Sequence, residues 1–302
     1  KKKKKKKKRK FMIKDITGYI ISIFLFVALL INGGCDSTSQ EKNETSQEHN
    51  QSSEEIIKIS KEKVKIIKRH IRSASDIVPI TDSLVVPYVY TSAVSMNNLP
   101  VAEKKQKFFD MMLPAILVAK TRLAINLARV EEISSKEKKN HRDEKFLNEL
   151  MTKYKATNME MLKSRLTCFP VSIILSQAAI ESAWGTSRFF LEANNPFGLW
   201  SFNSKQERIT AESTRNGKKV YLRKFNNMDQ AIDAYLTTLS TGPYNEFRKQ
   251  RLKTQDPYVL VNYLIDYSER REAYVEEVVS VIKGNDLTKY DTYMISPKYI
   301  KH

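Results

Sequence analysis

Cysteine is almost missing from these 302 residues: only Cys35 and Cys168 are present, so no disulfide framework and no cysteine-built zinc site can be assembled. Histidine is nearly as scarce. His49, His70, His141 and His302 are scattered, without metal-ligand spacing. Aromatic residues are plentiful, but none interleave with basic ones in a nucleic-acid motif. Acids are absent from the first 14 positions, which hold 11 of the 52 Lys and Arg residues and inflate the net charge to +18. From Asp36 onward the balance is 41 basic against 33 acidic residues, a net of +8. That moderately basic body suits a polyanionic surface such as wall polymer or membrane lipid, and excess lysine is also ordinary solubility charge.

The chain is long enough for one large domain or two, each with a buried core. Residues 1–10 are a run of like charge with the chemistry of a signal n-region. Residues 19–31 follow with only Ser22 polar; 13 residues are short for a membrane span and right for a signal-peptide core. Asn32-Gly33-Gly34-Cys35 resembles a lipobox, with Asn32 where leucine is usual. Two readings are open: Cys35 is lipidated and becomes the mature N-terminus, or the segment stays as an uncleaved anchor. Both export the rest of the chain, with the lysine run left inside.

Residues 36–53 contain no hydrophobic side chain and read as a disordered tether. A helical extension is expected over 54–156. In it, residues 54–71 carry isoleucine and valine between lysines, the pattern of an amphipathic helix. Three prolines and short β-branched runs predict extended chain over 79–100. The longest helical period lies at 101–132, with Pro114 expected to kink it, and shorter helices are expected at 143–154 and 155–166.

Residues 170–185, PVSIILSQAAIESAWG, are apolar in almost every helical direction, which marks a helix buried on most sides. Pro170 suits its first turn and Gly185 its stop. Glu181 is the one charge in it, on a face with Ile174, Gln177 and Ala178 and expected a turn before the helix end. A carboxyl so placed is partly desolvated, which raises its pKa as a general acid near neutral pH requires. A buried glutamate paired with a base is the plainer alternative.

Downstream, Thr186-Ser187 can cap a short helix, and 194–198 form a tight turn. The period then changes: Ile209, Val220 and Leu222 flank Asn216-Gly217, a strong hairpin signal, with Glu212 on the first strand. Helices are expected at 228–239, 258–267 and 272–282, and a helical ending after them.

Residues 157–293 resemble the glucosaminidase domains of glycoside hydrolase family 73, and within it the bacterial Bax-type proteins. The likeness rests on QAAIESAWGTSRF at 177–189, NNPFGLW at 194–200, FNNMDQAIDAYLTTL at 225–239 and YSERREAYVEEV at 267–278. It implies a mainly α, lysozyme-like fold, in which a small β-hairpin lobe faces a helical lobe. It implies that Glu181 is the catalytic acid, that a second acid stands in the hairpin at Glu212, and that Tyr274 assists. Trp184, Phe197, Gly198 and Tyr267 are expected to bind substrate.

The activity so implied is an endo-β-N-acetylglucosaminidase that cuts the glycan strands of peptidoglycan, tethered at the cell envelope through its N-terminal lipid or anchor, and monomeric. Glu181 would protonate the leaving oxygen. Glu212 is expected to activate water from the opposite side of the sugar, the inverting course, because Asn216-Gly217 can hold its strand opposite the central helix; the alternative is that the sugar's own acetamido group is the nucleophile. No cofactor is needed for acid catalysis and positioning. A muramidase or lytic transglycosylase on the same fold, and a wall-binding scaffold that does not cut, are the alternatives.

Overall fold

The computed structural model describes residues 62–215 and 217–301. The lysine run, the apolar segment, Cys35, the tether, residues 54–61 and Asn216 lie outside the described residues.

The spine is α1 (Val101–Ser135), whose side chains from Phe108 to Lys120 are all buried. Burying each large apolar side chain contributes about 1.5 to 3 kcal/mol, whereas an exposed helical ion pair contributes about 0.2 to 0.5. Packing therefore fixes this helix. It continues through Pro114, which has no N–H to offer the carbonyl one turn back. After it come α2 (His141–Tyr154), capped by Asn140 in a box with Asp143, and α3 (Met159–Leu166), capped by Asn158.

The apolar helix α4 (Val171–Glu181) packs against α1 and against a 3₁₀ segment at Leu287–Thr292. Its capping residue is Pro170, which can offer no side-chain cap; instead Asp291 of the 3₁₀ segment accepts hydrogen bonds from the backbone N and the Oγ of Ser172, both at 2.8 Å. A carboxylate at that end also complements the helix dipole. Beyond lie α5 (Arg188–Ala193), the bulged antiparallel hairpin of Arg208–Arg215 and Lys218–Arg223, α6 (Met228–Thr241) and α7 (Asn245–Gln250). A short turn of helix, α8 (Pro257–Leu260), runs on as 3₁₀ helix over Val261–Tyr267, and α9 (Glu272–Gly284) packs beside α4.

The expected helix at 54–71 is corrected over its described part. Lys63–Val64 and Ile67–Arg69 are strands: the first pairs antiparallel with Ile300–Lys301, the second parallel with Tyr88–Tyr90. Their partners lie far off in sequence, so a local period could not reveal them. Where a helical ending is expected, two 3₁₀ segments, Leu287–Thr292 and Pro297–Tyr299, alternate with two short strands, Met294–Ile295 and Ile300–Lys301, the former paired with Leu84–Val85.

The extended stretch at 79–100 is present and strapped to α1. Asp110 accepts from the Ile80 amide at 3.1 Å, Lys107 donates to the Ile77 carbonyl, and Tyr90 accepts from the Val78 amide. One hydrophobic cluster runs from Ile71 to Ile295 and takes in α1, α4, α6 and α9, so the residues before 157 share the core of those after it. A mainly helical body with a small hairpin lobe is the resulting architecture.

Candidate active site

Helix α4 ends at Glu181 itself, a turn earlier than Gly185 suggests. Ser182 carries the reason: its Oγ donates to the Ala178 carbonyl at 2.6 Å and accepts from the Gly185 amide at 2.9 Å, while the Trp184 amide returns to the Ala179 carbonyl. Ala183, Trp184 and Gly185 follow in the left-handed region at φ 49, 59 and 77°. The two residues with a Cβ each cost about 1 to 3 kcal/mol there. Glycine is required at 185 for a second reason, since a Cβ would stand 2.9 Å from Met96 and 3.0 Å from Phe108. This turn brings the half-buried Glu181 to the helix tip.

Burial raises the pKa of Glu181 above the ordinary carboxyl range. A hydrogen bond from Tyr274 and the positive charge of Arg270 oppose that rise, and the negative charge of Glu277 adds to it. Tyr274, 1% exposed on α9, also accepts from the Gln177 amide at 2.9 Å, and Gln177 in turn accepts from the hydroxyl of Tyr235 on α6. Tyr267 stacks on Tyr274 with ring centroids 5.5 Å apart, and Tyr244 and Tyr235 flank Tyr267. Burial raises the pKa of all four tyrosines, with neighbouring charges adding to it, so they stay neutral and keep their protons to donate. The acid therefore sits among phenol hydroxyls, beside the Arg270–Glu277 ion pair.

Glu212 is set differently. It stands on the hairpin with 89% of its side chain exposed, and its carboxylate lies 3.4 Å from Nε of Arg188. Arg188 also pairs with Glu192 at 3.2 Å and donates to the Thr210 carbonyl, which ties α5 to the first strand. The turn beyond it contains Gly217 at φ 72°, in keeping with a glycine-dependent hairpin.

Of the residues expected to bind substrate, Tyr267 lies beside Tyr274 and Glu181, half-buried. Trp184 turns toward α1, with edge contacts to Phe108 and Phe109 and the Lys105 ammonium 4.6 Å over its ring. Phe197 is buried, its ring stacked on Tyr235 at 3.9 Å, and so supports the tyrosine cluster from beneath. Gly198 adopts φ 61° with open space around it.

Three polar residues that the sequence places in this region have a bonding role that sequence reasoning did not assign. Asn194, left-handed at φ 49°, bonds the backbone of Ala93, Thr91 and Phe225, and Asn195 bonds that of Leu199 and Arg223. The paired asparagines thus knot the strap, the turn and the hairpin root together. Gln177 is the third; a buried amide in an apolar helix is the signal that could have found it.

A separate hollow of about 740 Å³ is lined by Arg122, Lys153, Arg223, Asp229 and Asp233 among others. Its charges are largely spent on each other, through Arg122–Asp229 at 2.7 Å and Lys153–Asp233 at 2.8 Å. Among the described residues, no group of His, Cys, Asp and Glu is arranged to hold a metal ion, and no helix is long and apolar enough to cross a membrane.

Residues 156–287 match the glucosaminidase family model, described as mannosyl-glycoprotein endo-beta-N-acetylglucosaminidase. Protein bax of Escherichia coli (strain K12) is 29% identical over 131 residues, 41% of this chain and 46% of that protein. Exo-glucosaminidase LytG of Bacillus subtilis (strain 168) is 24% identical over 201 residues, 61% of this chain and 65% of that protein. The chain thus spans about half to two thirds of the length of these relatives. Among solved structures, the catalytic domain of the autolysin Auto from Listeria monocytogenes is 20% identical, with 54% of this chain and 95% of that one covered at a TM-score of 0.36.

Proposed function

Residues 156–287 being a domain of the glucosaminidase family, we propose that this protein hydrolyses β-1,4 glycosidic bonds next to N-acetylglucosamine in the glycan strands of peptidoglycan, as an endo-acting enzyme. The observation that carries the reading is Glu181: a half-buried acid at a helix tip, its pKa raised by burial, with Tyr274 and Arg270 opposing that rise. Held protonated to higher pH than an ordinary carboxyl, it can give its proton to the glycosidic oxygen as the bond to the anomeric carbon breaks. The carboxylate left behind accepts from Tyr274 and faces Arg270, so the charge that develops is met by groups already in place. Tyr267 offers an aromatic edge beside the acid for the sugar to rest on.

Water can enter by either of two routes. In the first, Glu212 takes its proton and the product inverts; in the second, the substrate's acetamido group attacks the anomeric carbon and water opens the resulting ring. The exposure of Glu212 and its pairing with Arg188 favour the second, in which this acid gives electrostatic support only. The apolar segment before Cys35 supports export, with lipid on that cysteine or an uncleaved anchor holding the body at the envelope; intact mass of the envelope-extracted protein separates the two.

The test is digestion of purified peptidoglycan with the new chain ends identified by mass. Reducing N-acetylglucosamine ends are expected. Reducing muramic ends would mean a muramidase, anhydro ends a transglycosylase, and no release by folded protein a binding scaffold.

A further inference from the structure

Gln177 lies one turn before Glu181 on α4, at 0% exposure, between Ile173, Ile174 and Ala178. A buried amide is costly unless both of its ends are paired, and here both are. Its carbonyl accepts from the Tyr235 hydroxyl, and its nitrogen donates to the Tyr274 oxygen at 2.9 Å. An amide nitrogen can only donate. The Tyr274 oxygen is therefore the acceptor in that contact, and its own proton is left for another partner; the Glu181 carboxyl, one turn beyond Gln177 on the same face of α4, is the acid whose pKa Tyr274 lowers.

We infer that Gln177 is a positioning residue: with Tyr235 it forms a one-way hydrogen-bond relay, Tyr235 to Gln177 to Tyr274 to Glu181, that commits the Tyr274 proton to the acid's carboxyl. The inference rests on the reading of Glu181 as the acid. A phenol hydroxyl alone can rotate between acceptors; filling its lone pair from Gln177 takes that choice away, and chained donors strengthen one another. When Glu181 gives up its proton, the donor its carboxylate needs is then already aimed. Phe197 and Phe169 pack on the Tyr235 ring and keep the far end of the relay in place.

Several other groups face Glu181 and bear on its titration. Tyr244 and Tyr267 do so from the segments before α7 and α9, Arg270 from the turn into α9, and Glu277 from α9 itself. Arg270 and Glu277 pair with each other, so their opposed influences partly cancel. Asp266 stands near Tyr244 and is paired with Arg271.

The test substitutes Gln177→Glu, which keeps shape and both tyrosine contacts but, once ionised, accepts from both and turns the Tyr274 proton away from Glu181. Tyr235→Phe removes only the start of the relay. Glu181 is titrated by its infrared carboxyl band, each protein subtracted against its own Glu181→Gln counterpart, and kcat is followed against pH. In Gln177→Glu the titration of Glu181 should move to higher pH, and kcat should fall about tenfold as the new carboxyl ionises, with KM unchanged. Tyr235→Phe should move the titration in the same direction by about half a pH unit. A side chain that merely fills space predicts wild-type titration and pH profile for Tyr235→Phe, which introduces no charge, and that result would overturn the relay, whereas the shift in Gln177→Glu also contains the direct repulsion of its new carboxylate. Should Gln177→Glu fail to fold, Tyr235→Phe decides alone on the same readings. The infrared reading does not depend on turnover, so failure of the hydrolase reading shows separately, as a wild-type protein that releases no glycan fragments.

Discussion

Glu181 and Glu212 are the same side chain in opposite solvents. Glu181 closes an apolar helix, is ringed by neutral phenols and has its pKa raised by burial. Glu212 stands on a two-stranded hairpin, 89% exposed, in water beside an arginine. The first setting stores a proton and prepares partners for the charge left when it leaves; the second holds a carboxylate that water and Arg188 already stabilise. The sequence already separates them in part, since Glu181 is the one charge in an apolar helix while Glu212 reads from its residues as an exposed strand acid and gains a role only from the family resemblance. Their surroundings separate them further, and the predictions below set one against the other.

Glu181→Gln should fold normally, as circular dichroism would report, and lose glycan hydrolysis by about two to four orders of magnitude, the usual worth of a positioned general acid. Tyr274→Phe comes next. Losing a hydrogen bond to a charged group should cost about tenfold to a hundredfold in kcat. Since that bond lowers the pKa of Glu181, its removal should also carry the alkaline limb of the pH profile upward; an unmoved limb would separate Tyr274 from the acid. Glu212→Gln should lose about tenfold or less if the acetamido group is the nucleophile, with the β anomer as fresh product by proton NMR; an α product and a loss equal to that of Glu181→Gln would restore the inverting course.

The smallest effect is on stability. A carboxyl whose folded pKa is raised favours the folded state below its unfolded pKa, and that advantage is lost as pH rises through the folded value. Glu181→Gln should therefore gain stability over wild type as pH increases from the acidic side to neutral, measured by denaturant melts at each pH.

Much of the first setting was legible in the chain. Glu181 stands out because nearly everything around it from Val171 to Trp184 is apolar, and the tight turn was marked by asparagine, proline and glycine. The exact helix end was not legible, because alanine and tryptophan give no local sign of the left-handed backbone they adopt at 183 and 184. Nor was the orientation of Trp184: its packing on Phe108 and Phe109 joins residues some 75 positions apart. The tyrosine cluster is hidden for the same reason, since Tyr235, Tyr244, Tyr267 and Tyr274 come from separate segments and meet only in the fold. Residues 63–69 misled because lysines between β-branched residues fit a helix face locally, while the strand partners that decide the matter lie at 88–90 and 300–301.

One side-by-side measurement bears most directly on the asymmetry between the two acids: the initial rate of reducing-end release from purified glycan strands by wild type, Glu181→Gln and Glu212→Gln, at one pH near neutral. The expected result is near-complete loss in Glu181→Gln and retention within about tenfold in Glu212→Gln. Equal losses in the two variants, or release by Glu181→Gln at the wild-type rate, would contradict it.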